Sequence, residues 1–246
     1  MSLKLWTNTI NKIYLWANEI KKAYLGANLI YDKTVTPNWL LNNLVSYYPF
    51  DGNVEDVHGT NNWTSYWTSD VAGKIDRGRG FDWNNDYISG SSTSTAILDN
   101  DFSMSLWFNV DSSASSQGWL YKFWNRDMGI RWWNVTNNIQ FQLYDWTTNA
   151  YLNTPVNKNE WVHLVCTRDK DVWMKMYINW TQAVSNNFTW NASSQSLTEY
   201  FWRNVSWVYF YWLLDEFWFY DKVLSDTEIT ELYNSWAWLS YDNFTS

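Results

Sequence analysis

Phe102-Ser103-Met104-Ser105-Leu106-Trp107-Phe108-Asn109-Val110 is the stretch that decides the fold. Its apolar residues Phe102, Met104, Leu106, Phe108 and Val110 occupy every second position, the spacing at which side chains share one face of a β-strand. The period recurs in Ile139, Phe141 and Leu143, which alternate with Gln140, Gln142 and Tyr144. It recurs again in Val172, Met174, Met176 and Ile178, which alternate with Trp173, Lys175 and Tyr177. Each run predicts a strand with one face in a core and the other towards solvent. Turn-forming Asn, Asp, Ser and Gly separate the runs, so the expected fold is all-β, a two-sheet antiparallel sandwich.

One helix interrupts the pattern. Ser225-Asp226-Thr227-Glu228 has the capping-box spacing, with Ser225 as N-cap and Glu228 three residues on. Ile229, Leu232 and Tyr233 follow at helical spacing, which predicts a short helix ending near Asn234.

At the other end, residues 3–33 repeat every ten positions. Ile10, Ile20 and Ile30 share a column, as do Lys12 and Lys22, and Tyr14 and Tyr24. Each unit reads as a short strand, a glycine turn and a second short strand. Such a unit cannot bury a core alone, so it must lean on the main domain or on copies of itself. Thr34-Val35-Thr36-Pro37-Asn38 is a polar joint broken by proline. The expected division is a β-repeat anchoring or oligomerisation segment over 1–36 and a sandwich domain over 37–246.

Tryptophan is out of place. The 246 residues include 22 Trp and only 9 Gly, where ordinary usage would give about 7% Gly. Trp63, Trp83, Trp146, Trp180, Trp236 and Trp238 sit in polar, turn-like settings that favour a residue tolerant of φ > 0. The repeats act as a control. Leu5-Trp6-Thr7-Asn8, Leu15-Trp16-Ala17-Asn18 and Leu25-Gly26-Ala27-Asn28 read Trp, Trp, Gly in one column, and Phe81-Asp82-Trp83-Asn84 matches Phe50-Asp51-Gly52-Asn53. Many Trp are therefore read as standing for Gly, through a gene that uses UGA as a glycine codon translated as though UGA meant Trp. Trp107, Trp119, Trp161 and one of Trp132 and Trp133 lie in strand-like runs and are read as genuine.

Net charge is −8 and no Lys/Arg cluster appears, which argues against nucleic acid as a partner. No run approaches the roughly 18 apolar residues of a membrane span, so membrane insertion is not expected. No apolar leader follows Met1, and the expectation is synthesis without Sec-type export. The single cysteine, Cys166, excludes an intrachain disulfide and lies in an apolar run that predicts a buried thiol.

Several segments in order resemble laminin-G-like, concanavalin-A-like jelly-roll domains. They are Leu44-Val45-Ser46-Tyr47-Tyr48-Pro49-Phe50-Asp51-Gly52-Asn53, Phe81 to Ile88, Phe102 to Phe108, Trp161-Val162-His163-Leu164, Met176 to Trp180, Leu214 to Asp221, and Leu224 to Ile229. The resemblance covers nearly all of residues 38–238 and implies a jelly roll. Its departures are Trp39, Trp83, Trp180 and Trp236, where the family usually has Gly. The N-terminal units resemble short repeats of phage tail and other virion proteins.

Chemistry is sparser. A two-carboxylate glycosidase needs acids about 5–10 Å apart. In Leu214–Asp221, Glu216 is expected on the face of Trp218 and Tyr220, and Asp215 on that of Phe217 and Phe219, with no second carboxylate two or four residues on. Catalytic residues are therefore not expected, and neither His58, in a turn, nor His163, in mid-strand, has a Ser–His–Asp arrangement around it. Asp51, Asn53 and Asp56 cluster in one loop and offer the hard oxygens that calcium takes; the resemblance adds Asp215 to that candidate set. Turn formation is the competing role for these residues. Trp119, Tyr121, Trp132 and Tyr144 are candidates for stacking on sugars or for the core.

The expected function is virion-associated: a tail-fibre, head-fibre or decoration protein displaying a lectin-like domain, with host-surface glycan as its target. The repeats would join other virion proteins or further copies of the chain. A bacterial cell-surface carbohydrate-binding module, or a glycoside hydrolase of the same fold, are the alternatives.

Overall fold

A computed structural model describes residues 14–15, 18–19, 22–25, 28–32, 40–82, 85–91, 100–114, 118–123, 128–133, 137–144, 149–187, 198–201 and 211–235. The readings made on Trp6, Trp16, Trp39, Trp83, Trp146, Trp236 and Trp238 fall outside these residues.

In chain order the strands are β1 (Tyr14–Leu15), β2 (Asn18–Glu19), β3 (Lys22–Leu25), β4 (Asn28–Asp32), β5 (Leu44–Tyr48), β6 (Thr64–Tyr66), β7 (Ser69–Ala72), β8 (Arg77–Phe81), β9 (Tyr87–Ser91) and β10 (Phe102–Val110). They continue with β11 (Gly118–Phe123), β12 (Gly129–Trp133), β13 (Asn138–Tyr144), β14 (Asn149–Pro155), β15 (Val162–Asp169), β16 (Trp173–Ile178), β17 (Thr181–Asn186), β18 (Thr198–Phe201) and β19 (Trp212–Tyr220), before helix α1 (Asp226–Ser235).

Two antiparallel sheets form the sandwich. One has eight strands in the order β17-β16-β15-β10-β19-β8-β7, with β5 also paired to β19. The other has seven, β14-β13-β12-β11-β18-β9-β6. Phe102, Met104, Leu106, Phe108 and Val110 of β10 meet Ile139, Phe141 and Leu143 of β13 in one core cluster between the sheets. The period-two reading thus located the central strands and their inward faces. β1 pairs with β2 and β3 with β4, each as a separate antiparallel ribbon.

The far face of β10 departs from expectation. Ser103, Ser105 and Trp107 are buried as well. The cause is a second apolar layer, in which Leu224, Ile229 and Leu232 from α1 and its approach join Leu40, Leu44, Tyr47, Val165, Tyr177, Trp218 and Tyr220. The helix starts as its capping box requires. The Ser225 amide donates to Glu228 Oε2 at 2.8 Å, and the Glu228 amide donates back to Ser225 Oγ at 3.3 Å. Its apolar stripe then covers the eight-stranded sheet. Among the described residues no helix covers the outer face of the seven-stranded sheet.

Candidate functional site

That outer face is built from the alternate residues of β11–β14. Leu120, Ile130, Trp132, Phe141 and Leu152 point into the core. Their neighbours Trp119, Arg131, Trp133, Gln140, Tyr151 and Asn153 lie on the opposite side of the pleat, with Gln140 buried among them. Register aligns four of them across four strands: Trp119 opposes Arg131, Arg131 opposes Gln140, and Gln140 opposes Asn153.

The row is bonded along its length. The Arg131 guanidinium lies 4.4 Å from the Trp133 ring centroid and 5.3 Å from that of Trp119. Its Nε donates to Gln140 Oε1, and Gln140 Nε2 donates to Asn153 Oδ1 at 2.6 Å. Lys122 Nζ stands 4.6 Å over the Trp119 ring. Gly129 makes room for that indole, since a Cβ there would lie 2.9 Å from Trp119 Cζ3. A parallel row joins Gln142 Nε2 to Asn149 Oδ1 at 3.0 Å beside Tyr151, which is 55% exposed. Gln142 Oε1 is buried and accepts no hydrogen bond. The face therefore combines indole and phenol rings with planar amide and guanidinium donors.

Of the four sugar-stacking candidates, Trp119 lies on this face, while Tyr121 and Trp132 belong to the core. Tyr144 falls in β13, but its side chain lies outside the described residues. Lys122, Arg131, Trp133, Gln140 and Asn153 were not singled out from sequence. Alternation in β12–β14 contains the signal, but only the cross-strand register brings these residues together.

A second polar cluster lies under the helix. Ser105 is paired with Trp218 and Trp107 with Asp215, so β19 bulges at Glu216, which has φ 53°. The bulge corrects the expected alternation: Asp215 stands opposite Trp107, away from the inter-sheet side taken by Phe217 and Phe219. Asp215 Oδ2 accepts the Lys74 and Ile75 amides at 2.8 and 2.9 Å, while its buried Oδ1 accepts none. Burial and then the Asp51 charge push Asp215 up to about 8. Burial and the Asp215 charge hold Glu216 well above the usual range as well.

Ser105 Oγ and His163 Nε2 are 2.8 Å apart beside Glu216, Trp107 and Trp218, around a small cavity. The pair has the spacing of a nucleophile and its base, but no acid orients His163, whose Nδ1 is buried without a partner. Burial drops the imidazole to about 3, too weak a base for proton abstraction at neutral pH. The buried Cys166 thiol is likewise raised well above its ordinary value by burial.

The calcium candidates are placed apart in role. Asp56 spends Oδ1 on the amides of Tyr47, His58 and Gly59, and Oδ2 on that of Asn61. Asn53 Oδ1 accepts the Glu55 amide, and Asp51 Oδ1 accepts the Arg77 amide. Asp51 and Asp215 interact electrostatically. Among the described residues, no three His, Cys, Asp or Glu side chains gather to hold a metal ion.

Residues 82–230 match the family model of the concanavalin A-like lectin/glucanases superfamily. No curated protein matches the chain by sequence. Similar solved structures include the binding domain of Paraclostridial Mosquitocidal Protein 1, 18% identical with a TM-score of 0.70, over 80% of this chain and 53% of that one. The botulinum neurotoxin DC binding domain, solved in complex with rat synaptotagmin II, is 16% identical with a TM-score of 0.68, over 80% and 52%. The botulinum neurotoxin serotype D binding domain is 13% identical with a TM-score of 0.68, over 79% and 52%. The chain thus spans about half the length of these structures.

Proposed function

We propose, from the premise that this chain belongs to the concanavalin A-like lectin/glucanase superfamily, that it is a non-catalytic adhesion protein binding glycan on the outer face of its seven-stranded sheet. The observation that carries the reading is the outward-facing Trp119, Arg131 and Asn153, tied together by the buried Gln140. Aromatic rings suit the apolar faces of pyranose rings, and fixed amide and guanidinium donors suit their hydroxyls. Matches to binding domains of toxins support a role in recognition. The buried Asp215–Glu216 pair, 0% and 4% exposed, is closed to a polysaccharide, which weighs against the hydrolase alternative.

The finer reading places the protein on a virion, with the N-terminal ribbons β1–β4 joining it to other virion proteins or to further copies. It includes UGA-glycine recoding. Trp67 and Trp180 are exposed at φ 60° and 65°, and the buried Nε1 groups of Trp63, Trp132 and Trp212 lack partners, which Trp usually finds when buried. Mass spectrometry of purified virions tests the location, and the nucleotide sequence at the Trp codons tests the recoding.

Glycan-array binding by the wild type and by Trp119→Ala tests the site. Wild-type binding that Trp119→Ala loses, with an unchanged melting temperature, is the expected result. Binding that survives Trp119→Ala and Tyr151→Ala together would move the site elsewhere.

A further inference from the structure

We infer that helix α1 is a pH-operated strap: its last turn closes over the buried carboxyls of Asp215 and Glu216 while these are neutral, and lifts from the eight-stranded sheet as they ionise. The two ends of the helix are held differently. At its start, Asp226 Oδ1 accepts the Tyr177 hydroxyl at 2.8 Å, and Glu228 Oε1 accepts from Lys222 Nζ at 2.7 Å. The approach is fixed as well, since the Leu224 amide donates to Ser103 Oγ at 2.9 Å. At its end, Leu232 closes the small cavity that Ser105, His163 and Glu216 share. The Tyr233 ring lies 5.5 Å from that of Trp107 and 5.8 Å from that of His163. The strap is tied by polar bonds at one end and seated on rings at the other.

That seat is a poor place for negative charge. The bulge in β19 turns both carboxyls to the helix side, Asp215 opposite Trp107 and Glu216 in the cavity wall. Above them, α1 carries Asp226, Glu228 and Glu231, with no basic residue in its last turn. Its C-terminal carbonyls add the negative end of the helix dipole. The other groups that face the pair do not reverse this. Tyr47 and Tyr233 are held neutral by burial, and so is His163, dropped to about 3. Lys74 Nζ stands 4.7 Å over Trp107, and burial lowers it, so its charge does not grow with pH. Asp51 brings a further negative charge. Lifting the last turn admits water to the pair and lets both acids ionise. Between about 4, where a free Asp titrates, and about 8, where Asp215 does so beneath the helix, each pH unit therefore raises the open fraction up to about tenfold per proton released.

Hydrogen exchange of the full chain, followed by mass spectrometry at pH 5, 6.5 and 8 and normalised to intrinsic exchange rates, tests this. Amides 230–235 should lose protection at least about tenfold from pH 5 to pH 8, while those of β15 change less. Glu216→Gln keeps an acceptor for Tyr47 and should flatten that dependence; Asp215→Asn should reduce it. Ser235→Lys sets a cation in the last turn and should slow exchange at pH 8 about threefold. This last variant leaves the buried pair intact and decides the matter should either carboxyl variant fail to fold. Exchange at 230–235 that tracks β15 at every pH would mean global unfolding and overturns the strap. An undiminished pH dependence in Glu216→Gln, or a Ser235→Lys protein that exchanges as the wild type does, overturns it too.

Discussion

The Tyr47 hydroxyl donates to Glu216 Oε2 across 2.6 Å, joining β5 to the bulge of β19 beneath the helix layer. Tyr47 also stacks on Trp218, with ring centroids 3.8 Å apart. Tyr47→Phe keeps the stack and deletes only the donor. A buried carboxyl left without that partner costs about 1–3 kcal/mol, so the variant should lose that much stability to urea. A loss below 0.5 kcal/mol, the size of a neutral surface change, would show that the bond is not holding the bulge.

Asp215 makes stability depend on pH in a direction opposite to the usual carboxylate. Its folded pKa stands at about 8, above the roughly 3.9 of an unfolded Asp. The folded state keeps a proton that the unfolded state gives up. The stabilisation is therefore complete below about pH 4 and is lost as pH climbs towards 8. Asp215→Asn resembles the neutral form at every pH, so the variant should gain on the wild type between pH 5 and 8. Burial lowers His163 in both proteins, an effect that cancels in the comparison, whereas removing the Asp215 charge also relieves the raised Glu216 and adds to the variant's gain. Urea midpoints at pH 5 and pH 8 check it, and parallel pH profiles would rule it out.

Asp56 organises the loop after β5 through four backbone amides. Asp56→Ala strands those donors and should cost about 2–4 kcal/mol, since hydrogen bonds to charged groups are the stronger class. The same role predicts that chelator and calcium leave the difference between variant and wild type unchanged. A melting-temperature drop in chelator that mimics Asp56→Ala would instead make the residue a cation ligand.

The sequence made the strands legible where periodicity is local. Phe102–Val110 and Ile139–Leu143 announce their core faces two residues at a time, and Ser225 with Glu228 marks the helix start within one turn. It did not show that Ser103, Ser105 and Trp107 are buried, because the layer above them comes from Leu40 and from α1, more than 60 residues away on one side and 110 on the other. It misplaced Asp215 because a single bulged residue resets the alternation of everything before it. It missed Lys122, Arg131 and Asn153 because a site spread across four strands exists only once their register is known.

The turn between β16 and β17 offers the sharpest test of what the chain is made of. Ile178 pairs with Thr181, leaving a two-residue loop in which Asn179 and Trp180 have φ 47° and 65°. That pair of positive angles is the type I′ turn, whose favoured sequence is Asn-Gly. Phe50 also has φ 64°, but it is fully buried against the rings of Tyr48, Trp63 and Phe201. Trp180 is 46% exposed and rests against Tyr233 at 4.2 Å. A side chain in the left-handed region costs roughly 1–2 kcal/mol, whereas glycine's extra unfolded-state freedom costs roughly 0.5–1 kcal/mol. Strain is the larger effect, so Trp180→Gly should raise stability by about 0.5–1 kcal/mol, read as a higher urea midpoint at constant slope. Trp119→Gly, in the middle of a strand, should lower it. If Trp180→Gly is destabilising instead, the indole contributes more against Tyr233 than the backbone loses, and Trp is the residue this turn was built around.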